Sequence, residues 1–275
     1  LGIRQWITGG DVVGMDETTW RLMKKGGTKT WQLWSMCGRG AVWFALRGSR
    51  SGQTAAELLS DYSGWLVTDG LGSYEKAANR CEGVIRLAAC WAHVRRKFVD
   101  CEHNHPDACA EILDLIGDLY EIESRARDPD DGFELIEWRK QLRAEETAPK
   151  LEAIKTWAER QQVLPKSGLG KAIGYMKGLW PRLTKFADHP MVWIDNNPTE
   201  RSIRGPVVGR KNFYGSRSVR GTEVAAMLYT IFETAKACGV KPREYLRRVV
   251  ENDIRNPYTV TLPRPIEEVM ATVES

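Results

Sequence analysis

Residues Ser51 to Asp69 constrain this chain more than any other stretch. Ser51-Gly52-Gln53-Thr54 opens a helix in which Ala55, Leu58, Leu59 and Tyr62 recur at helical spacing. Trp65-Leu66-Val67-Thr68 then follows as a buried-type strand ending at Asp69. Upstream, Asp11 to Leu22, Thr30 to Cys37 and Ala41 to Arg47 are rich in Trp, Val and Phe. Gly26-Gly27 and Gly38-Arg39-Gly40 punctuate them at hairpin spacing, which predicts an antiparallel three-strand meander. A helix between strands is a crossover, and it makes the Asp69 strand parallel to the first. If those two strands are neighbours, Asp16 and Asp69 come close on one side of the sheet, each ending a short apolar run.

Ser73 to Asn79 reads as a short helix and Val84 to Cys90 as a fifth strand. Ala92-His93-Val94-Arg95-Arg96-Lys97-Phe98 begins a basic helix, where His93 is a ligand, a phosphate contact or simply a structural histidine at a helix entry. From Pro106 to about His189 the pattern is helical almost throughout. Ile112, Leu115, Ile116, Leu119 and Ile122 make one apolar stripe that reads as core, and breaks are expected at Asp128-Pro129-Asp130, near Pro149, at Pro165-Lys166-Ser167-Gly168 and before Pro190. The expected organisation is therefore 1–104 as the first part of a sheet-bearing core, 105–189 as an all-helical insertion, 190–252 as the rest of the core, and 253–275 as an extended tail.

Downstream of the insertion, Trp193-Ile194-Asp195-Asn196-Asn197-Pro198-Thr199-Glu200-Arg201-Ser202-Ile203-Arg204 puts a carboxylate in the first turn of a helix. Asn197 suits the cap, Pro198 the first helical position, and Glu200 falls three residues after the cap. Alone this is a capping box, in which Glu200 only returns a hydrogen bond to the Asn197 backbone. With Asp16 and Asp69 it makes three carboxylates able to hold divalent metal, and Asp195, which closes the apolar run Met191 to Ile194, is the rival third ligand. Next, Gly209-Arg210-Lys211-Asn212-Phe213-Tyr214-Gly215-Ser216 interleaves basic side chains with aromatics beside glycines. Such a segment either holds phosphates while a ring stacks on or wedges against a base, or is a plain loop. Glu223 to Cys238 and Pro242 to Glu251 read as two amphipathic helices.

Charge and composition narrow the classes. The net charge is only +4, yet Arg201 to Arg220 holds six basic residues and no acid, whereas His105 to Arg160 holds fifteen acids against eight bases. That asymmetry suggests one face that meets a polyanion and another that avoids it. With 275 residues and 42% hydrophobic content, the chain can bury one good core and a smaller one. No apolar run reaches the roughly 18 residues needed to cross a bilayer, so no membrane partner is expected. The six scattered cysteines suggest reduced thiols in a cytoplasmic protein. Cys101, His103, His105 and Cys109 are dense enough to test as a zinc site, but their spacing matches no usual ligand pattern and a polar loop before a helix explains them equally well. The start, Leu1-Gly2-Ile3-Arg4, is neither a signal peptide nor an initiator methionine, as if the chain were truncated there.

Strand meander, helix, strand ending in Asp, helix, strand, then a helix carrying a third acid is the order of a ribonuclease-H-like nucleotidyltransferase core. The blocks Asp16-Glu17-Thr18, Thr68-Asp69-Gly70, Cys90 to Phe98, Asp195 to Arg201 and Gly209-Arg210-Lys211-Asn212 resemble the insertion-sequence sixty-six family of bacterial DDE transposases, from about residue 12 to residue 250. One departure stands out: where the family tends to place an aromatic after Asp69-Gly70 this chain has Leu71, with Tyr74 the nearest ring.

The resemblance implies an α/β fold, a ribonuclease-H-like mixed sheet with flanking helices and an all-helical insertion before the catalytic Glu helix. It implies a catalytic and metal-binding triad on Asp16, Asp69 and Glu200, served by two Mg²⁺ ions about 3.5–4 Å apart, with Mn²⁺ able to substitute. Asp16 is expected to bridge both ions, Asp69 to bind one and Glu200 the other. Water would cut at the transposon end and the freed 3′-OH would attack target DNA. Arg95, Arg96, Lys97, Arg201, Arg204, Arg210, Lys211 and Asn212 are the expected DNA contacts, Arg204 also being placed to pair with Glu200 four residues away. The implied partners are transposon ends and target DNA, a homo-oligomer on that DNA and accessory proteins of the element, in the cytoplasm and at the nucleoid. The resemblance also implies an N-terminal region, with zinc-finger-like and end-binding segments, that this chain lacks. Two alternatives stay open: a nuclease of the same fold without strand transfer, and a catalytically silent DNA-binding remnant.

Overall fold

The computed structural model describes residues 2–24, 27–81, 84–127, 134–257, 259 and 261. In chain order its elements are α1 (Gly2–Thr8), β1 (Val12–Lys24), β2 (Gly27–Gly38), β3 (Ala41–Arg47), α2 (Gly52–Leu58), β4 (Gly64–Thr68), α3 (Gly72–Arg80), β5 (Ile85–Ala89) and α4 (Trp91–Val99). There follow α5 (Pro106–Arg125), α6 (Leu135–Leu142), α7 (Ala148–Arg160), α8 (Gly168–Leu183), α9 (Lys185–Asp188), α10 (Asn197–Phe213), α11 (Val219–Ala237) and α12 (Pro242–Arg255). The strands form one mixed sheet in the order β3-β2-β1-β4-β5, in which β4 is the neighbour of β1, and the flanking helices make the α/β arrangement compatible with a ribonuclease-H-like fold.

The chain divides into two compact units. One comprises Leu1–Leu66, Leu71–Arg86 and Asn197–Glu274, the other chiefly Val67–Gly70 and Leu87–Asn196. In the first, strand alternation assigns side chains to faces. Asp16, Thr18 and Trp20 share a face of β1 and stand opposite Ser35, Leu33 and Trp31 of β2; Ser35 and Leu33 in turn pair with Phe44 and Leu46 of β3. The apolar members of this face, Trp20, Leu33, Cys37, Val42, Phe44 and Leu46, pack with Ile203 of α10 and Ala226 of α11 as one cluster. The edge strand β3 is tied down by α11: the Phe44 N–H donates to Thr230 Oγ1 (2.9 Å), and Thr234 Oγ1 accepts from the Val42 N–H (3.1 Å) while donating to the Val42 carbonyl (2.8 Å). The other face meets α3, where Tyr74 packs edge-on to Trp34 and its hydroxyl donates to Glu17 Oε2 at 2.5 Å. The ring nearest Leu71 is therefore committed to β1.

The second unit holds the helices α4 to α9. Phe98 and Trp157 meet edge to face, and the buried Arg143 guanidinium forms two 2.7 Å bonds with Glu123 while reaching the carbonyls of Phe186, His189 and Val192. The expected break near Pro149 is absent. Arg143–Thr147 is a π turn, and the chain passes from α6 through it into α7 with Pro149 near the start of α7. Wider winding lets the helical course continue past a residue that has no N–H to give.

Two further expectations change. The segment from Gly209 is not a loop up to Phe213, because α10 continues through Pro206 and Gly209. The tail expected to be extended from residue 253 begins helical, since α12 reaches Arg255. Gly26, Asp128-Pro129-Asp130 and the tail prolines Pro263 and Pro265 lie outside the described residues.

Candidate active site

In the first unit, Asp16 lies half-buried on the face of β1 that also carries Thr18 and Trp20. Its Oδ1 accepts the Glu17 N–H at 2.8 Å, and its cross-strand partner is Ser35. Ser35 is buried, and its Oγ lies 2.7 Å from Ser202 Oγ on α10. Because opposed residues of an antiparallel pair point the same way, Ser35 marks where α10 crosses the Asp16 face. Ser202 donates its own proton to the Thr199 carbonyl (2.7 Å), so it is Ser35 that donates to Ser202. Cys37 lies 3.6 Å from Ser202 Oγ and 3.9 Å from the Pro198 carbonyl; burial pushes its thiol pKa up, partly offset by the neighbouring Ser202 and Ser35 hydroxyls.

The first turn of α10, which carries Glu200, is thus set against the stretch of sheet that carries Asp16. The helix begins at Asn197, one residue earlier than the capping pattern predicts, and Glu200 is in its first turn. Thr199, Ser202, Ile203 and Pro206 are the buried positions. On the other flank a Cβ at Gly205 would collide with Glu233, and one at Gly209 with the Tyr229 hydroxyl, so these glycines permit the close approach of α11.

The second unit presents Asp69 at the end of β4. The Asp69 carbonyl accepts the Tyr175 hydroxyl at 2.6 Å, and Gly70 follows with φ +86°. The left-handed backbone favours glycine after Asp69, and a Cβ at Gly70 would stand 2.8 Å from Leu179 Cδ1 and have to push that side chain aside. Burial, then the Asp69 charge, pushes the Tyr175 pKa up to about 12. Around the end of β5, the Trp91 N–H donates to the Ile194 carbonyl (3.1 Å) and the Asn196 N–H to Cys90 Sγ (3.2 Å). Asp195, the rival third ligand, is buried in this unit, where its charge is the second cause, after burial, of an upward shift of the Tyr120 hydroxyl.

The expected DNA contacts fall on two helices. Arg95, Arg96 and Lys97 lie on the exposed side of α4, whose first turn carries the half-buried His93. Arg201, Arg204, Lys211 and Asn212 are exposed on α10. Arg210 is turned inward, donating to the Thr19 carbonyl and to the hydroxyls of Thr18 (3.2 Å) and Thr19 (2.9 Å). Cys101 and Cys109 are buried with sulfurs 3.7 Å apart, and burial followed by the Cys101 neighbour pushes the Cys109 pKa up to about 12. His103 is exposed against Asn104, and among the described residues these four side chains do not gather into a metal-sized cluster. Sequence reasoning missed Ser35, Ser202, Tyr175 and Cys90, whose parts emerge only from strand register and helix docking.

Residues 2–224 match the family described as Transposase IS66 family. This chain belongs to the IS66 transposase family. Curated relatives come from Sinorhizobium fredii (strain NBRC 101917 / NGR234). Uncharacterized protein y4jD is 30% identical over 250 residues, covering 85% of this chain and 48% of the relative. Uncharacterized protein y4qI is 27% identical over 267 residues, covering 90% and 49%. The IS66 chain therefore spans about half the length of the curated relatives it matches. Among its described residues no helix is long and apolar enough to cross a membrane.

Proposed function

We propose that this chain is the catalytic core of a DNA transposase that cuts at the ends of its element and joins the freed 3′-OH to target DNA, using Asp16, Asp69 and Glu200. The observation that carries the reading is the Ser35–Ser202 contact. It sets the Glu200 turn of α10 on the face of β1 that carries Asp16, in a chain of the IS66 family. Asp69 is assigned with them on the sequence pattern, in which it directly follows β4.

The donor set suits a hard divalent cation: three carboxylates offer only oxygen, the ligand that Mg²⁺ and Mn²⁺ prefer. Bound there, two Mg²⁺ ions would supply the positive charge that a phosphodiester needs before a nucleophile can approach it. The chain's own residues do the positioning. Gly70 holds the backbone turn that presents Asp69, Tyr175 anchors the Asp69 carbonyl, and the Ser35–Ser202–Thr199 relay fixes the first turn of α10. Arg201, Arg204 and Lys211, exposed on α10, and Arg95, Arg96 and Lys97, exposed on α4, are assigned to DNA phosphates, which Asn212 can hydrogen-bond as well. The helical segment 105–189 is assigned no metal ligand.

The test is Asp69→Asn in a longer protein, of the length seen in the curated relatives. The variant keeps the shape and removes the charge, so it is expected to bind DNA carrying the element's ends and neither nick nor join it. Unchanged nicking and joining would remove the mechanism, and nicking without joining by the wild-type protein would make it a nuclease.

A further inference from the structure

A cleft of about 320 Å³ opens beside the C-terminal end of α10, lined by Thr19, Arg21, Arg210, Lys211 and Tyr214. Its volume is in the range of small-ligand pockets, and no acid lines it. We propose that this cleft binds an unpaired nucleotide of single-stranded DNA, with the base stacked on Tyr214 and the phosphates held by Arg21 and Lys211.

Three observations support the assignment. The first is the charge: Arg21 and Lys211 are exposed, while Arg210, bonded to Thr18 and Thr19, stiffens the wall between them. The second is the backbone of Tyr214, which has φ +63°, a left-handed conformation that costs a bulky residue free energy. Glycine or asparagine at this position would end the helix with less strain, so termination of α10 does not explain the tyrosine. Tyr214 as a whole is 63% exposed, so burial does not explain it either.

The third is the rigidity of the turn that presents the ring. The Tyr214 N–H donates to the Arg210 carbonyl (2.8 Å), the Ser216 N–H to the Arg21 carbonyl (2.9 Å) and the Met23 N–H to the Ser216 carbonyl (2.8 Å). Trp20 Nε1–H donates to Ser216 Oγ at 3.0 Å. Gly215, at φ +129°, lies so close to the Arg21 carbonyl that no side chain fits. An aromatic face held out from a fixed backbone between two cations is a pre-organised stacking platform. A duplex hides its base faces and would use only the charges, whereas a single strand uses both.

The inference rests on the reading of the chain as a DNA-processing core, and its test is separable from that reading because it is done in EDTA. The 275-residue chain is titrated against a fluorescent oligo-dT and a duplex of equal length, across a range of salt. Tyr214→Gly accepts the turn's backbone freely and removes only the ring. It is expected to weaken oligo-dT binding roughly 5- to 150-fold with an unchanged salt slope and to leave duplex binding unaltered. Tyr214→Phe should bind oligo-dT like the wild type. Arg21→Ala or Lys211→Ala should flatten the single-strand salt slope by about 0.7 for each lost phosphate contact. Wild-type oligo-dT affinity in Tyr214→Gly, equal weakening toward single strand and duplex, or no wild-type binding at low salt would overturn the proposal. The measurement involves neither metal nor strand cleavage, so failure of the cleft leaves the carboxylate chemistry standing, and the converse also holds.

Discussion

Removing the Ser35–Ser202 contact should cost stability asymmetrically, and the asymmetry follows from which hydroxyl donates. Ser202→Ala leaves the fully buried Ser35 O–H without its acceptor, a penalty of about 1–3 kcal/mol. Ser35→Ala takes away the donor, while Ser202 keeps its own bond to the Thr199 carbonyl, so the loss should be about 0.5–1.5 kcal/mol. The double variant replaces both hydroxyls with apolar groups and should cost less than the sum of the single changes, by roughly 1 kcal/mol. Urea unfolding followed by circular dichroism measures all three. If the two units unfold in separate transitions, only that of the strand-bearing unit should move. In the longer protein, Ser202→Ala should also slow strand cleavage, because it loosens the turn that carries Glu200. Equal costs for the two single variants would refute the donor assignment, and strict additivity would refute the contact that docks α10 on the Asp16 face.

Gly70→Ala should cost about 2–4 kcal/mol, combining left-handed strain with crowding against Leu179. Gly72→Ala, where a Cβ meets open space, should be neutral or slightly stabilising in the same melts. The Tyr175 pKa is raised in the fold, so its contribution is complete below about pH 10, where the unfolded phenol still holds its proton, and is lost as pH rises toward about 12. Tyr175→Phe should therefore flatten the fall in stability measured between pH 9.5 and 11.5, in about that range. Some slope should remain, because burial also raises Tyr245 to about 12.

The sheet was legible in the sequence because strand physics is local. Alternation, glycine punctuation and one crossover place β1 to β5 within a few residues, while the adjacency of β4 and β1 comes from the fold. The helices around prolines and glycines were harder to read, because tertiary contacts overrode local preference. Pro206 lies inside α10 yet is buried there, and Gly209, which looks like a loop residue, serves the approach of α11. Arg210 reads as a free cation until the fold brings Thr18 and Thr19 to it across nearly two hundred residues of chain. The residues that support the carboxylates were invisible for the same reason: nothing in a lone Ser35 or Tyr175 announces its partner.

The bonds of Arg143 bear on any attempt to make a smaller version of this protein. From the middle of the helical segment its guanidinium grips Glu123 and three carbonyls between Phe186 and Val192, the stretch that leads to Asp195. A designer who trimmed the helices as a dispensable appendage would free those carbonyls and slacken the lead-in to the acid-bearing helix. A shortened core would need a substitute clasp built first, with the helices removed only afterwards.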